Sequence, residues 1–182
     1  MRIVEAVFTA AEPDRLAAWY EAEVGSAPSF VRGATAPHHF AFHTASLEPW
    51  QRRLEVTEEH DFSGWDGARA VYFRDPERNV VELLARPEPR PELTLAEVGL
   101  PVEDVPRAVD ALAKLGIDPY RDWDEAFAPL GDADGLLILV RTGRGWLPYD
   151  VPAGTAPVEV SVEGVMPGEI AVPGSGHRVV SI

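Results

Sequence analysis

The chain has 182 residues, 46% of them hydrophobic, so it can bury a substantial core as one large domain or two small ones. Its formal net charge of −14 argues against nucleic acid and anionic membranes as partners, because both would repel it. It contains no cysteine, which excludes disulfides, thiolate metal sites and a cysteine nucleophile and favours a cytoplasmic location. We also expect no membrane span and no signal peptide, since no apolar run is long enough for the first and no signal pattern opens the chain.

The first residues predict a strand followed by a helix. Residues 2–9 alternate loosely and carry β-branched side chains, which is typical of a strand. Glu12 and Pro13 then favour a helix start, and Gly25 favours its end. Residues 26–37 leave room for only one brief strand, at residues 29–32.

A histidine-rich strand comes next. Residues 38–44 read HHFAFHT, and strict alternation places His39, Ala41 and His43 on one face, with His38 on the other. We expect His43 to contact a substrate or to support His39, and His38 to be structural. A helix around residues 47–56 follows.

The most informative stretch is residues 68–86, ARAVYFRDPERNVVELLAR. Two apolar runs are joined by a polar turn that opens with Asp75-Pro76, which predicts a β-hairpin. Glu82 lies in the middle of the second, otherwise apolar, strand. An unpaired buried carboxylate is costly, so Glu82 needs a cation, a metal ion or an open, wet cavity.

The second half of the chain repeats this organisation weakly. Residues 86–92, RPEPRPE, predict an extended linker, after which a strand and a helix recur. Glu97 lies seven residues before Asp104, just as Glu5 lies seven residues before Glu12. A second hairpin over residues 127–143 has a wholly apolar last strand, with no equivalent of Glu82.

The end of the chain predicts less structure. Residues 143–152 suggest a loop, which leads to a strand at residues 157–164. From residue 165 onwards we expect an edge strand or a loose segment.

Together these motifs resemble the vicinal oxygen chelate (VOC) superfamily, which includes glyoxalase I, bleomycin- and fosfomycin-resistance proteins and extradiol dioxygenases. The resemblance lies in the H-x-A-F strand, the DPxxN turn with Glu three residues later, the EVGLPV strand and the GLLILV-TGRGW-P segment. It covers roughly residues 1–163 and is greatest for a ring-cleavage dioxygenase-like branch. Arg78 departs from the family pattern, which has Gly before the Asn, and would be strained if that position requires a positive φ.

The resemblance implies an α+β fold of repeated βαβββ modules whose curved mixed sheets form a cup, with helices outside. The corresponding division is residues 1–86 (a truncated first module and a full second one), linker 87–92, a further module at 93–163 and a tail at 164–182. Such proteins often complete their cups across two chains, so a homodimer is expected.

The resemblance also implies a metal site. His39 and Glu82 match family ligands, and Glu5 is expected as the third; Glu97 takes that place if the second and third modules close the cup. Imidazole and carboxylate together suit Fe, Mn, Ni, Zn or Co. The alternatives are a hydrogen-bonded core histidine and a carboxylate paired with arginine or wetted in a metal-free pocket.

Three aromatic residues are candidates for the substrate pocket. Trp65, Tyr72 and Trp146 are expected to line it for an aromatic or apolar ligand, unless they belong to the core. Arg144, close to Trp146, is a candidate for holding an anionic substrate, with an exposed arginine as the alternative. No residue is assigned a catalytic role.

The sequence therefore favours a divalent-metal-dependent enzyme of dioxygenase, isomerase or lyase type, acting on a small oxygen-rich or aromatic molecule. The alternative is a metal-free protein that sequesters a small molecule, as bleomycin-resistance proteins do. A third hypothesis, an interaction module, applies if the truncated first module leaves no cup.

Overall fold

The computed structural model describes residues 1–88 and 90–182, in which the chain forms three α-helices and fourteen β-strands. The helices are α1 (Pro13–Glu23), α2 (Glu48–Arg53) and α3 (Val105–Leu112). The strands are β1 (Arg2–Ala10), β2 (Ser29–Arg32), β3 (His39–His43), β4 (His60–Phe62), β5 (Ala68–Arg74), β6 (Val80–Ala85), β7 (Leu95–Val102), β8 (Phe127–Asp132), β9 (Gly135–Arg141), β10 (Gly145–Trp146), β11 (Val151–Pro152), β12 (Val158–Glu163), β13 (Gly168–Ala171) and β14 (Arg178–Ser181). The predicted linker at residues 87–92 includes Pro89, which lies outside the described residues. No helix in the described part of the chain is long and apolar enough to cross a bilayer.

A seven-stranded sheet of order β4–β5–β6–β3–β7–β9–β8 forms the centre of the molecule. It joins two modules, one running from β3 to β6 and one from β7 to β9, which meet where β3 pairs antiparallel with β7. The sheet curls so that its two edge strands, β4 and β8, approach each other. Trp65, which follows β4, has its ring centroid 6.2 Å from that of Phe127 on β8. The predicted α+β fold with a curved mixed sheet is confirmed.

A second sheet has five strands in the order β13–β14–β12–β1–β2. The opening strand β1 pairs antiparallel with β12, from the far end of the chain, and parallel with β2. The second and third modules, rather than the first and second, therefore close the cup. The chain after residue 164 contributes two ordered strands, β13 and β14, to this sheet.

The main core lies between the outer face of the seven-stranded sheet, the five-stranded sheet and helices α1 and α3. Strict alternation along β3 sends Phe40 and Phe42 into this core, where Phe40 stacks on Phe8 of β1 with ring centroids 4.8 Å apart. Full burial of one such side chain contributes roughly 1.5–3 kcal/mol. The same alternation points His39 and Ala41 to the inner face of the sheet. Packing on the outer face of β3 therefore orients His39, the predicted metal-binding side chain, on the inner face.

The turn between β5 and β6 is hydrogen-bonded to the residue that precedes β3. Asp75 Oδ2 accepts hydrogen bonds from the Asn79 amide (2.7 Å) and from the hydroxyl of Tyr20 (2.8 Å). Asn79 Oδ1 in turn accepts from the backbone N–H of His38 at 2.9 Å. The predicted turn role of Asp75 and Asn79 is thus seen directly, and it fixes the start of β3 next to His39. Arg78 has a φ of 69°, the conformation for which the family pattern uses glycine.

Candidate metal centre and cavity

Two buried glutamates face each other across one alanine on the inner face of the seven-stranded sheet. Register pairs Glu82 on β6 with Ala41 on β3, and Ala41 with Glu97 on β7. The backbones of β6 and β7 are therefore two strand spacings apart, about 9.5 Å. Because Ala41 carries only a methyl group, the two longer side chains can lean towards each other over it. One carboxylate oxygen of each glutamate and one ring nitrogen of His39 lie within 4.8 Å of one another.

His39 presents one free ring nitrogen to these carboxylates. Its Nδ1 lies 3.1 Å from the carbonyl oxygen of Val80, and because a carbonyl only accepts, Nδ1 must carry the hydrogen. The Nε2 lone pair then points at the two acids, 3.7 Å from Glu82 Oε2 and 3.9 Å from Glu97 Oε2. Both separations are longer than hydrogen bonds. A histidine held by a carbonyl at one nitrogen and open at the other is the usual arrangement of a metal ligand.

The two buried carboxylates need a bound proton or a cation to offset their negative charge. Glu82 and Glu97 are only 4% and 8% exposed, and within residues 1–88 and 90–182 neither forms a salt bridge with lysine or arginine. Burial, and next the charge of Glu97, raise the pKa of Glu82 well above its ordinary value. Burial and the charges of the two glutamates also raise the pKa of Tyr72, the cross-strand partner of Glu82.

The donor set fits a divalent metal ion. One imidazole nitrogen and two carboxylate oxygens, all buried, suit the first-row divalent ions from Mn to Zn. A divalent cation would also neutralise the two acids that otherwise repel each other. His39, Glu82 and Glu97 are therefore the residues that could hold such an ion.

The two modules contribute unequally to this centre. His39 on β3 and Glu97 on β7 occupy corresponding places in the two modules. Each lies two residues before a small residue, and that small residue pairs with the last strand of the same module. In the first module that pair is Ala41 with Glu82, and in the second it is Gly99 with Ile138. Three of the four symmetric places thus carry a donor atom, and the fourth is apolar.

A cavity of about 260 Å³ opens over the three donors. Its lining consists of the three donors, aromatic and aliphatic walls and two arginines: His39, Phe62, Trp65, Ala68, Tyr72, Glu82, Leu84, Arg86, Glu97, Phe127, Ile138, Arg144, Trp146 and Leu147. The predicted pocket residues Trp65, Tyr72 and Trp146 all line it. Trp146 also covers His39, with ring centroids 5.0 Å apart.

Two of the residues singled out in the sequence lie outside this site. Glu5 is exposed on β1, in the other sheet, where its carboxylate accepts a hydrogen bond from Ser29 at 2.9 Å. The structure therefore does not bring Glu5 to His39 and Glu82, and Glu97 stands there instead. His43 has the predicted facing, but it is buried beyond the cavity, where burial and nearby Arg86 and Arg90 lower its pKa.

Sequence reasoning missed Arg86 as a cavity residue. Alternation along β6 places Glu82 and Leu84 on one face, and continuing it one residue past the strand end places Arg86 there too, so the signal was present in the period of the strand. Phe62, Phe127 and Ile138 had no such signal, because only the curl of the sheet brings them over the donors.

No family model matches the sequence, and no curated protein matches it either. The structure is similar to that of glyoxalase I from Zea mays, with a TM-score of 0.61 and 16% identity over 99% of this chain and 91% of that one. It is also similar to that of a presumed dioxygenase from Bacillus subtilis, with a TM-score of 0.59 and 16% identity over 90% of this chain and 70% of that one. The chain therefore has the fold of these glyoxalase I and dioxygenase structures, as the resemblance in its sequence implied.

Proposed function

We propose that this VOC-fold protein is a divalent-metal-dependent enzyme whose ion is held by His39, Glu82 and Glu97. The observation that carries the proposal is the convergence of three buried donor groups in one cavity, two of them acids that form no salt bridge with lysine or arginine among the described residues. The reaction is of dioxygenase, isomerase or lyase type on a small oxygen-rich or aromatic molecule. The shared fold of glyoxalase I and of the Bacillus subtilis protein supports this range of chemistry.

A divalent ion at this place supplies a Lewis acid that stabilises negative charge developing on a substrate oxygen. The surrounding residues prepare the site for it. The Val80 carbonyl keeps the hydrogen of His39 on Nδ1, so Nε2 stays available as a ligand. Trp146 covers His39 and donates its indole N–H to the Pro37 carbonyl at 3.2 Å, which keeps the ring in place and excludes water from that side.

The size and walls of the cavity limit the substrate. A dry cavity of about 150 Å³ is known to hold one benzene molecule, so 260 Å³ accommodates a single ring with a few substituents. The walls are mainly aromatic, which favours a flat or apolar substrate body. Apolar Ile138 borders the donors on the side where the symmetric fourth ligand is missing, which leaves that side for substrate or water.

The aromatic walls also favour a second candidate, a metal-free protein that sequesters a small molecule. In that case Glu82 keeps its raised pKa and donates a hydrogen bond to the ligand as a neutral acid. The two candidates differ in whether ligand binding survives removal of metal.

Metal analysis tests the proposal. Protein purified without chelator is expected to contain about one equivalent of a divalent metal by mass spectrometry, and His39→Ala and Glu97→Gln are each expected to lose it. Glu5→Gln is the matched control, since this acid was predicted from sequence but lies exposed in the other sheet, and it should retain the metal. Absence of metal from the wild type after incubation with Mn²⁺, Fe²⁺, Co²⁺, Ni²⁺ and Zn²⁺ would contradict the proposal and favour the metal-free candidate.

A further inference from the structure

We propose that the ligand of this cavity carries a carboxylate, which Arg86 and Arg144 bind away from the three donors. This inference deepens the proposed function by naming the substrate class: a small aromatic acid with oxygen atoms at its other end. Only the part played by those oxygens rests on the proposed metal.

Arg86 lines the same cavity as the donors. It stands four residues after Glu82, directly beyond the end of β6, and four residues of extended chain span about 13 Å. Its guanidinium donates one hydrogen bond, from Nη1 to the Trp65 carbonyl at 3.1 Å, and its buried Nε has no partner among the described residues. Several donors of this partly buried group thus remain free to face the cavity.

Arg144 reaches the same region from another part of the chain. Its guanidinium lies over the ring of Phe127, 5.0 Å from the centroid, and Phe127 contacts Trp65 with ring centroids 6.2 Å apart. Arg86 thus bonds to the backbone of Trp65, and Arg144 lies over the ring of Phe127, the aromatic neighbour of Trp65. Stacking on Phe127 holds the guanidinium plane while leaving its edges open to a carboxylate.

The two arginines of the cavity lack carboxylate partners in a chain that is rich in acids. Acidic residues outnumber lysine and arginine by 30 to 16. Six other arginines form salt bridges with side-chain carboxylates: Arg2, Arg15, Arg69, Arg90, Arg121 and Arg178. In the described part of the chain, Arg86 and Arg144 form none although both line the cavity. Two guanidiniums without acidic partners beside aromatic walls match a carboxylate on a ring, which takes charge-assisted, paired hydrogen bonds from arginine.

Two matched pairs of probes test the inference: benzoate with benzamide, and 3,4-dihydroxybenzoate with 3,4-dihydroxybenzamide. Each pair differs in charge and hardly in size. We expect the wild type to bind each acid at least about ten-fold more tightly than its amide, as measured by calorimetry or quenching of tryptophan fluorescence. Arg86→Gln and Arg144→Gln should each reduce this ratio about five- to ten-fold, while the affinity for the amides changes less than two-fold.

The controls separate a binding role from a structural one. Arg141→Gln removes an exposed arginine three residues from Arg144 that does not line the cavity, and should leave the ratio unchanged. If the arginines only support Trp65 and Phe127, acids and amides lose affinity equally in the variants. Equal affinity of the wild type for acid and amide, including no measurable binding of either, overturns the inference.

Failure of the proposed metal site gives a different result. The acid-to-amide ratio of the benzoate pair should persist in EDTA-treated protein, because the arginines do not depend on the ion. The advantage of the dihydroxy probes over the plain ones should require added metal. Loss of the second effect alone counts against the metal site, and loss of the first alone counts against the arginine site.

Discussion

Glu97→Gln is expected to stabilise the metal-free protein while abolishing its stabilisation by metal. Without an ion, Glu82 and Glu97 are two buried acids with oxygen atoms no more than 4.8 Å apart. Gln has nearly the shape of Glu and no charge, so the substitution removes the repulsion and leaves the packing of β7 largely intact.

The size of the effect follows from the distance. Two unit charges 4.8 Å apart repel by about 3.5 kcal/mol at an effective dielectric constant of 20. The raised pKa of Glu82 relieves part of this repulsion, so we expect a gain in the free energy of unfolding on the order of 3.5 kcal/mol at pH 8. For a chain of this size about 1 kcal/mol corresponds to roughly 2–4 °C in Tm, so a gain of this size should raise the Tm of the variant by about 7–14 °C above that of the wild type.

The gain must also depend on pH in a definite direction. Because the pKa of Glu82 is raised in the folded state, its contribution to stability is complete below the ordinary value of 4.5 and is lost as pH rises through the folded value. EDTA-treated wild type should therefore lose stability relative to Glu97→Gln as the pH rises from 5 to 8. The difference between wild type and variant should shrink towards pH 5.

Thermal denaturation at pH 5, 6, 7 and 8, first with EDTA and then with added Mn²⁺, Ni²⁺ or Zn²⁺, measures both effects. An ion at about 100 times its Kd should stabilise the wild type by about 2.7 kcal/mol and the variant far less. Glu5→Gln should behave as wild type throughout. The reasoning is refuted if metal-free Glu97→Gln is no more stable than wild type at pH 8, or if metal stabilises both to the same extent.

Two further predictions concern stability away from the site. Arg78→Gly should raise the free energy of unfolding by about 0.5–1 kcal/mol in urea denaturation, because φ at this position is 69° and glycine relieves a strain of roughly 1–2 kcal/mol at an entropic cost of about 0.5–1 kcal/mol; Arg78→Ala should bring no gain. His177 is buried, accepts a hydrogen bond at Nδ1 from the Val158 N–H (3.1 Å) and donates from Nε2 to the Pro101 carbonyl (2.7 Å). Since burial lowers its pKa below 6.5, its contribution is present above pH 6.5 and is lost as pH falls. The free energy of unfolding of wild type relative to His177→Gln should therefore fall between pH 7 and pH 5, and a difference that does not change with pH would contradict this.

Much of the fold was readable from local pattern. Alternation in HHFAFHT gave β3 and its two faces, and the Asp75-Pro76 turn gave the β5–β6 hairpin that the structure shows. These features are set by residues close in sequence, where the period of hydrophobic side chains and turn chemistry decide the outcome. The homodimer, the cytoplasmic location and the division at residues 86–92 stay predictions.

The third acid of the site could not be chosen from local pattern. Glu5 and Glu97 occupy the same place in two similar strand–helix units, so spacing treats them alike. The choice was made by sheet pairing: β1 pairs with β12, more than 140 residues away along the chain, whereas β7 pairs with β3. Such long-range pairing depends on the whole arrangement of sheets, which a single sequence does not display.

One sequence pattern does distinguish the two strands that carry His39 and Glu97: a metal-ligating side chain is followed two residues later by a small residue. His39 is followed by Ala41, and Glu97 by Gly99. Ala41 leaves the space in which the two glutamates converge. A Cβ on Gly99 would lie 2.7 Å from Cη2 of Trp146 and 3.0 Å from the carbonyl oxygen of His39, so glycine is what allows the indole to cover the imidazole. Glu5 is followed by Val7, whose branched side chain offers neither kind of space, so the small residues mark which two strands build the centre.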